Sequence, residues 1–263
     1  MTDARVVLCM KWGTLFPADY VNVLYHACRR AISGAFRFVC LTDDSEGFAE
    51  GIEAFPIPDI GLSPDEWYTP GVWPKLALYV ADLHGLRGRC LFIDLDMVVL
   101  GGLDDMFEFE ATFVGIEAGA GWWPGKEESA RPMLCTGVFA FNIGEQTQIL
   151  QAFQEDIPAA RAGFKNEQDF VAAHAEGLDY WPSGWVISFK RWLRRPIGLD
   201  LVLSPKPPPA GTKVVAFHGD PRPIDLMADD VGFWDRLPHM GHGPVGWVRD
   251  YWVENGGRLP PFE

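Results

Sequence analysis

The stretch Cys90-Leu91-Phe92-Ile93-Asp94-Leu95-Asp96-Met97-Val98-Val99-Leu100 constrains this chain more than any other. It is an apolar run of the length of a buried strand, broken by two carboxylates with one residue between them. Side chains two apart on a strand project to the same side, so Asp94 and Asp96 are expected to converge. Burying one unpaired carboxylate costs several kcal/mol, and a second beside it adds repulsion. A divalent cation relieves both costs. The plainer alternative is a strand end at which the two acids meet solvent or an arginine.

With 263 residues and 48% hydrophobic content, the chain can bury a full core as one large domain or two closely joined lobes. Acids outnumber bases by 36 to 22, a net charge of -14. That balance disfavours nucleic acid as a partner and supplies no polybasic membrane anchor. The five cysteines, Cys9, Cys28, Cys40, Cys90 and Cys135, include no Cys-x-x-Cys pair and read as reduced, buried thiols. No apolar run approaches the roughly 18 residues that span a bilayer. Met1-Thr2-Asp3-Ala4-Arg5 lacks a signal-peptide pattern, so the expected location is the cytoplasm.

Strands and helices alternate along the first half. Arg5 to Met10 reads as a strand, Ala18 to Ile32 as a helix, Phe36 to Leu41 as a strand and Pro74 to Leu83 as a helix that starts on a proline. The Asp-x-Asp strand follows. This β-α-β-α-β order predicts an α/β fold with a mostly parallel, doubly wound sheet, whose ligands bind beyond the carboxyl ends of its strands. Asp43, Asp44, Asp94 and Asp96 all fall at such ends.

The second half is less regular. Ala111 to Glu117, Thr136 to Asn142 and Lys213 to Phe217 read as strands, with helices from Glu145 and over Asn166 to Ala175. Pro205-Lys206-Pro207-Pro208-Pro209 is a stiff connector. The glycine-rich segment Glu117 to Gly125 carries Trp122 and Trp123, either as a lid or saccharide platform or as rings that plug the core. The expected organisation is a domain over residues 1–223 and a C-terminal helical extension over 224–263 packed on it. Trp234, Trp247, Tyr251 and Trp252 of that extension would form a cap, part of an acceptor site or an oligomer surface.

Several motifs in order carry a family resemblance. Trp73-Pro74-Lys75-Leu76-Ala77-Leu78, the run Arg89 to Leu100 and Leu103-Asp104-Asp105-Met106-Phe107 resemble glycosyltransferases of the GT-A fold, and among them family 8, which includes glycogenin and the bacterial lipopolysaccharide galactosyltransferases. Thr136 to Asn142, Asn166-Glu167-Gln168-Asp169, and Phe217-His218-Gly219 followed by Arg222-Pro223 fall in the family's order.

The resemblance implies a Rossmann-like single domain, a nucleotide-sugar donor (a UDP-sugar above all) and a manganese or magnesium ion held by Asp94, Asp96 and His218. It places Lys75, Gly219 and Arg222 near the donor's phosphates or sugar, and Gln168 and Asp169 at the anomeric carbon of a retaining reaction. A metal that bridges diphosphate oxygens stabilises the charge that develops as the glycosyl-phosphate bond breaks. Lys11 and Trp12, in the loop after the first strand, would hold base and phosphates.

Each residue also has an ordinary reading: a satisfied histidine at His218, solvated cations at Lys75 and Arg222, a structural loop at Lys11, helix-start carboxylates at Glu167 and Asp169. The chain departs from the family at Cys135 and Thr136, where asparagine and then serine or alanine are usual. That asparagine touches the donor sugar in the family, so the sugar is left open. The acceptor, whether glycan, lipid-linked or protein, is also open, and peripheral membrane contact is compatible with the lack of a transmembrane segment.

Two other classes share local features. Haloacid-dehalogenase-like phosphatases place Asp-x-Asp after an apolar strand and a Gly-Asp pair after a later one, which Val214 to Asp220 with Asp225 imitates. There Asp94 would be the nucleophile and Asp96 the general acid, with magnesium. A non-catalytic carbohydrate-binding module would account for the eleven tryptophans without chemistry.

Overall fold

The computed structural model describes residues 4–119, 122–124, 132–228, 232–234 and 241–259. Its first unit is β1 (Arg5–Lys11), α1 (Ala18–Ala31) and β2 (Arg37–Thr42), followed by β3 (Ile52–Phe55). In α1 the buried side of Tyr20, Val23, Leu24, Ala27 and Cys28 recurs at helical spacing. Asp19 in its first turn and Arg29 and Arg30 in its last complement the helix dipole.

The chain continues through β4 (Arg89–Ile93), β5 (Met97–Val99), α2 (Asp104–Glu108), β6 (Phe113–Glu117) and β7 (Leu134–Asn142). Then come α3 (Thr147–Glu155), α4 (Ile157–Gly163), α5 (Glu167–His174), β8 (Leu178–Tyr180), β9 (Val186–Ser188), β10 (Val214–Ala216) and α6 (Gly246–Glu254).

A seven-stranded sheet in the order β3-β2-β1-β4-β7-β6-β8 forms the centre. From β3 to β4 the neighbours pair in parallel; β7 runs antiparallel to both β4 and β6. The sheet is therefore mostly parallel, as expected, with one reversed strand inside it. Its two faces have separate cores. Val7 and Cys9 face α1 and the C-terminal aromatics, whereas Val6, Leu8 and Met10 face Trp73–Tyr79, α3 and α5. Strand alternation along β1 thus serves both layers.

Two expectations are corrected. The run from Cys90 to Leu100 is not one strand. After Ile93 the backbone turns, with Met97 N–H donating to Asp94 O at 3.2 Å, and resumes as β5 in a second, three-stranded sheet of order β5-β10-β9. Asp94 and Asp96 therefore sit on the turn between two sheets. In the middle of a ladder with apolar layers on both faces, those carboxylates would have been sealed in; the turn brings them to the edge of a cleft.

The segment expected as a helix from Pro74 is a tight 3-10 helix over Trp73–Tyr79, and all seven of its residues are buried. With no solvent face, the amphipathic period that marks an ordinary surface helix does not apply.

The phosphatase alternative needs the later Gly-Asp strand in the parallel sheet with the Asp-x-Asp strand. Here β10 lies in the small sheet, antiparallel to β5.

The C-terminal segment packs on α1. Trp252 meets Tyr20 edge-on at 4.8 Å between ring centroids. Arg258 holds the Asp19 carboxylate at 2.6 Å, and Asn255 O lies 2.9 Å from His26 Nδ1. Trp234, Tyr251 and Trp252 are buried, which favours a cap for these rings. All five cysteines are unpaired thiols. Among the described residues, no helix is long and apolar enough to cross a membrane.

Candidate active site

A cleft of about 800 Å³ opens where the two sheets meet. Lys75, Asp94, Asp96, Gln168, Asp169 and His218 all line it. They come from the 3-10 helix, the β4–β5 turn, the start of α5 and the end of β10.

One wall is a network of ion pairs. Lys75 is 5% exposed, and its Nζ reaches Asp94 Oδ2 at 3.0 Å, Thr136 O at 2.7 Å and Glu167 Oε1 at 3.5 Å. The ammonium also lies 4.6 Å from the centre of the Phe92 ring. Burial opposes its charge, but Asp94 and Glu167 outweigh that cost and hold Lys75 above the ordinary lysine value.

The Thr136 hydroxyl donates to Glu167 Oε1, and Thr136 N–H donates to Gln168 Oε1 at 3.0 Å. Gln168 thereby commits its carbonyl end and keeps its NH2 for a ligand. Glu167 is 2% exposed; burial raises its carboxyl to about 7, against the pull of Lys75. Its second oxygen, Oε2, has no hydrogen-bond partner. Asn166 caps α5 by accepting from Asp169 N–H at 2.9 Å, which leaves the Asp169 carboxylate exposed at the cleft.

The floor is the Asp-x-Asp turn. Asp94 N–H donates to Gly137 O at 2.8 Å, and a Cβ at Gly137 would stand 2.7 Å from Met97 Cε, so glycine lets β7 cross close behind the turn. Burial raises the Asp94 carboxyl, with Lys75 opposing. Burial and then the Asp94 charge push Asp96 up to about 8, and Arg222 acts on it in the opposite sense.

The other wall stands on the small sheet. His218 Nε2 and Ser188 Oγ are hydrogen-bonded at 2.7 Å, and the imidazole stacks on Trp122 with centroids 4.9 Å apart. Burial first, then the charges of Lys190, Arg191 and Arg194, press His218 down to about 4, so its ring is neutral at pH 7. Arg191 extends this wall; its guanidinium lies 5.2 Å from both the Trp122 and Trp123 rings and donates to Ala118 O at 2.8 Å. It is carried on a turn of π-helix over Phe189–Leu193, a rare form that recurs at functional sites.

The two tryptophans of the glycine-rich segment thus divide: Trp122 is buried against His218 and Trp123 is exposed. Ala120, Gly121 and Gly125 of that segment lie outside the described residues.

Lys11, Trp12, Gly219 and Arg222 do not line this cleft. Lys11 is buried at the end of β1 and donates to Asp44 O at 3.3 Å, Trp12 is half-buried, and the Arg222 N–H is tied to Asp225 Oδ2 at 2.7 Å. Ser188, Arg191 and the double role of Thr136 were not singled out from the sequence. Val186-Ile187-Ser188 is a three-residue strand, too short for a visible period. Thr136 enters the sequence reading as the head of a strand, in a motif that follows the family's order, and as a departure from the family's pattern, with no sign of the two bonds it makes.

Two carboxylates raised by burial and one neutral imidazole are a chemically suitable donor set for manganese or magnesium. Among the described residues, however, no three His, Cys, Asp or Glu side chains gather closely enough to hold a metal ion by themselves. Ligand oxygens would have to complete the shell.

No protein-family model matches the chain, and no curated protein sequence does. Solved structures do. An active-site mutant of LgtC with glutamine replaced by glutamate is 12% identical, covers 97% of this chain and 98% of its own, and gives a TM-score of 0.56. The galactosyltransferase LgtC in complex with donor and acceptor sugar analogues is 13% identical, covers 98% of this chain and 97% of its own, and gives 0.56. The bifunctional glycosyltransferase WbbM is 12% identical and gives 0.60; it matches over 99% of this chain, which spans 50% of the WbbM chain. This chain has the fold of the GT-A glycosyltransferases and resembles the family 8 type.

Proposed function

We propose that the chain is a metal-dependent glycosyltransferase that moves a sugar from a nucleotide-sugar, a UDP-sugar, to an acceptor hydroxyl with retention of anomeric configuration. The observation that carries this reading is the Asp94–Asp96 turn at the floor of the cleft, raised by burial and faced by a neutral histidine. Carboxylates held in that condition have a use for a cation. Gln168 lines the cleft, and a similar solved structure is an LgtC mutant whose active-site glutamine is replaced; in our reading Gln168 is its counterpart.

In this reading a manganese or magnesium ion on Asp94, Asp96 and His218 would offset the charge of the departing diphosphate. The chain's own residues do the rest. Lys75 fixes Asp94 and Glu167 so that the acidic wall does not collapse by self-repulsion. Glu167, sealed behind the cleft surface, holds Lys75 and the Thr136 hydroxyl in place. Gln168 turns its NH2 toward the reacting carbon and is too weak a nucleophile to trap it. The acceptor oxygen bonds to the anomeric carbon on the face from which the phosphate oxygen leaves, and the hydroxyl proton passes to that phosphate oxygen. The wall built on Trp122 and Arg191 is where the acceptor lies.

Calorimetric titration of UDP and GDP, each with and without manganese, into the wild type and Asp96→Asn tests the reading. Manganese-dependent binding of UDP, lost in the variant, supports it. No nucleotide binding under any condition overturns it, and hydrolysis of an aryl phosphate would then favour a phosphatase.

A further inference from the structure

Directly after the π-helical turn, residues 194–206 form a loop whose ends are tied together. Lys206 N–H donates to Leu193 O at 2.7 Å, and Arg195 Nε donates to Ser204 O at 2.9 Å. The tip carries five large aliphatic side chains in water: Ile197, Leu199, Leu201, Val202 and Leu203, with Val202 73% and Ile197 61% exposed. Elsewhere among the described residues, exposed large hydrophobics are scattered along the chain, whereas here five fall within seven positions.

The base of the loop is basic. Arg195 enters it and Lys206, which is exposed, leaves it, while Arg194 is turned inward with its guanidinium 5.8 Å from the Trp234 ring. Its single acid, Asp200, is turned inward: it is buried and accepts Gly198 N–H at 2.9 Å. An apolar tip, a collar of two cations (Arg195 and Lys206) and an acid withdrawn from the surface make a locally cationic, greasy projection on a chain of net charge -14.

We propose that this loop docks the protein on an anionic lipid bilayer, the aliphatic tip entering the interface and the collar facing the headgroups. Charge complementarity selects this occupant. A neutral apolar partner would have no use for the collar, and an acidic partner alone would have none for the tip. Docking would set the cleft wall of Arg191, three residues before Arg194, close to the membrane surface. The proposal does not depend on the transferase reading, because vesicle binding is measured without donor or metal.

The test is flotation of the full chain with vesicles of phosphatidylcholine alone and of equal parts phosphatidylcholine and phosphatidylglycerol. The wild type is expected to float with the mixed vesicles only, and less as salt is raised. Val202→Asp should weaken binding about tenfold or more. Lys206→Gln should weaken it about fivefold, as one cation near an anionic surface is worth. Val253→Asp, on the exposed side of α6, should leave it unchanged. Both loop positions are exposed, so neither change threatens the fold.

Absence of binding, equal binding to neutral vesicles, or loop variants that bind like wild type would each overturn the proposal. So would loss of binding in Val253→Asp. A dimer seen by light scattering that Val202→Asp dissociates, without vesicle binding, would assign the loop to a second copy of the chain instead.

Discussion

The Lys75 wall of the cleft and the seam between α1 and α6 both set a buried carboxylate against a cation, but they differ in which partner faces water. At the cleft, cation and Glu167 are sealed together, at 6% and 2% side-chain exposure. At the seam, Asp19 is buried at 7% while Arg258 stands 68% in solvent. A sealed pair cannot borrow water when one member is lost, whereas an open pair can. The cleft wall should therefore depend on its charges, and the seam on its aromatic rings.

Lys75→Met should have the largest effect, because it takes the cation from Asp94 and from the sealed Glu167, to which only the Thr136 hydroxyl would remain bonded. Removal of one member of a buried pair costs about 3–5 kcal/mol, and the sealed Lys75–Glu167 pair falls in that range. Urea denaturation measures it; a loss below about 1 kcal/mol would erase the distinction between the two regions. Trp252→Ala comes next, at about 3–4 kcal/mol, from a ring buried against Tyr20. If Arg258→Gln destabilised as much as Trp252→Ala, the seam would be electrostatic after all.

The two regions should also answer pH with opposite signs. Glu167 has a folded value of about 7, raised by burial from 4.5. The unfolded chain releases that proton first, so this contribution to stability is full below about 4.5 and is lost as pH rises through 7. The window corresponds to ~3 kcal/mol. Glu167→Gln should flatten it in denaturation midpoints taken from pH 4.5 to 8. Asp19 is lowered, chiefly by hydrogen bonds from Arg258, so its contribution is present above the ordinary carboxylate range and lost as pH falls through its depressed value. Asp19→Asn should remove the smallest pH dependence, flattening only the acid limb below about pH 4.

The parts of this design that were legible in the sequence are those with a long local signal. The period of α1, the parallel β1-α1-β2 unit and the Asn166 start of α5 are local facts of chain chemistry. The break at Asp94 was hidden because Met97-Val98-Val99 continues the apolar pattern without a glycine or proline to mark the turn. What ends β4 there is the cost of burying its carboxylates, which depends on the layers around it. Ser188 and Arg191 escaped for a related reason. Their importance comes from the arrival of His218 and Trp122, brought together from distant parts of the chain. The Lys75 contacts were half legible: a lysine in an apolar segment needs a partner, but the partner's name, Glu167, is a tertiary fact.

Thr136 binds Glu167 through its hydroxyl and Gln168 through its backbone N–H, so one residue serves two neighbours that line the cleft. That arrangement bears on how such a site can drift. Thr136→Val keeps the shape and the backbone bond but leaves Glu167 Oε1 only its contact with Lys75, whereas Thr136→Ser keeps both bonds. Single substitutions at 136 are therefore confined to hydroxyl residues unless position 167 changes with them. Drift of this cleft wall should run through paired changes at 136 and 167, along a route that passes through serine.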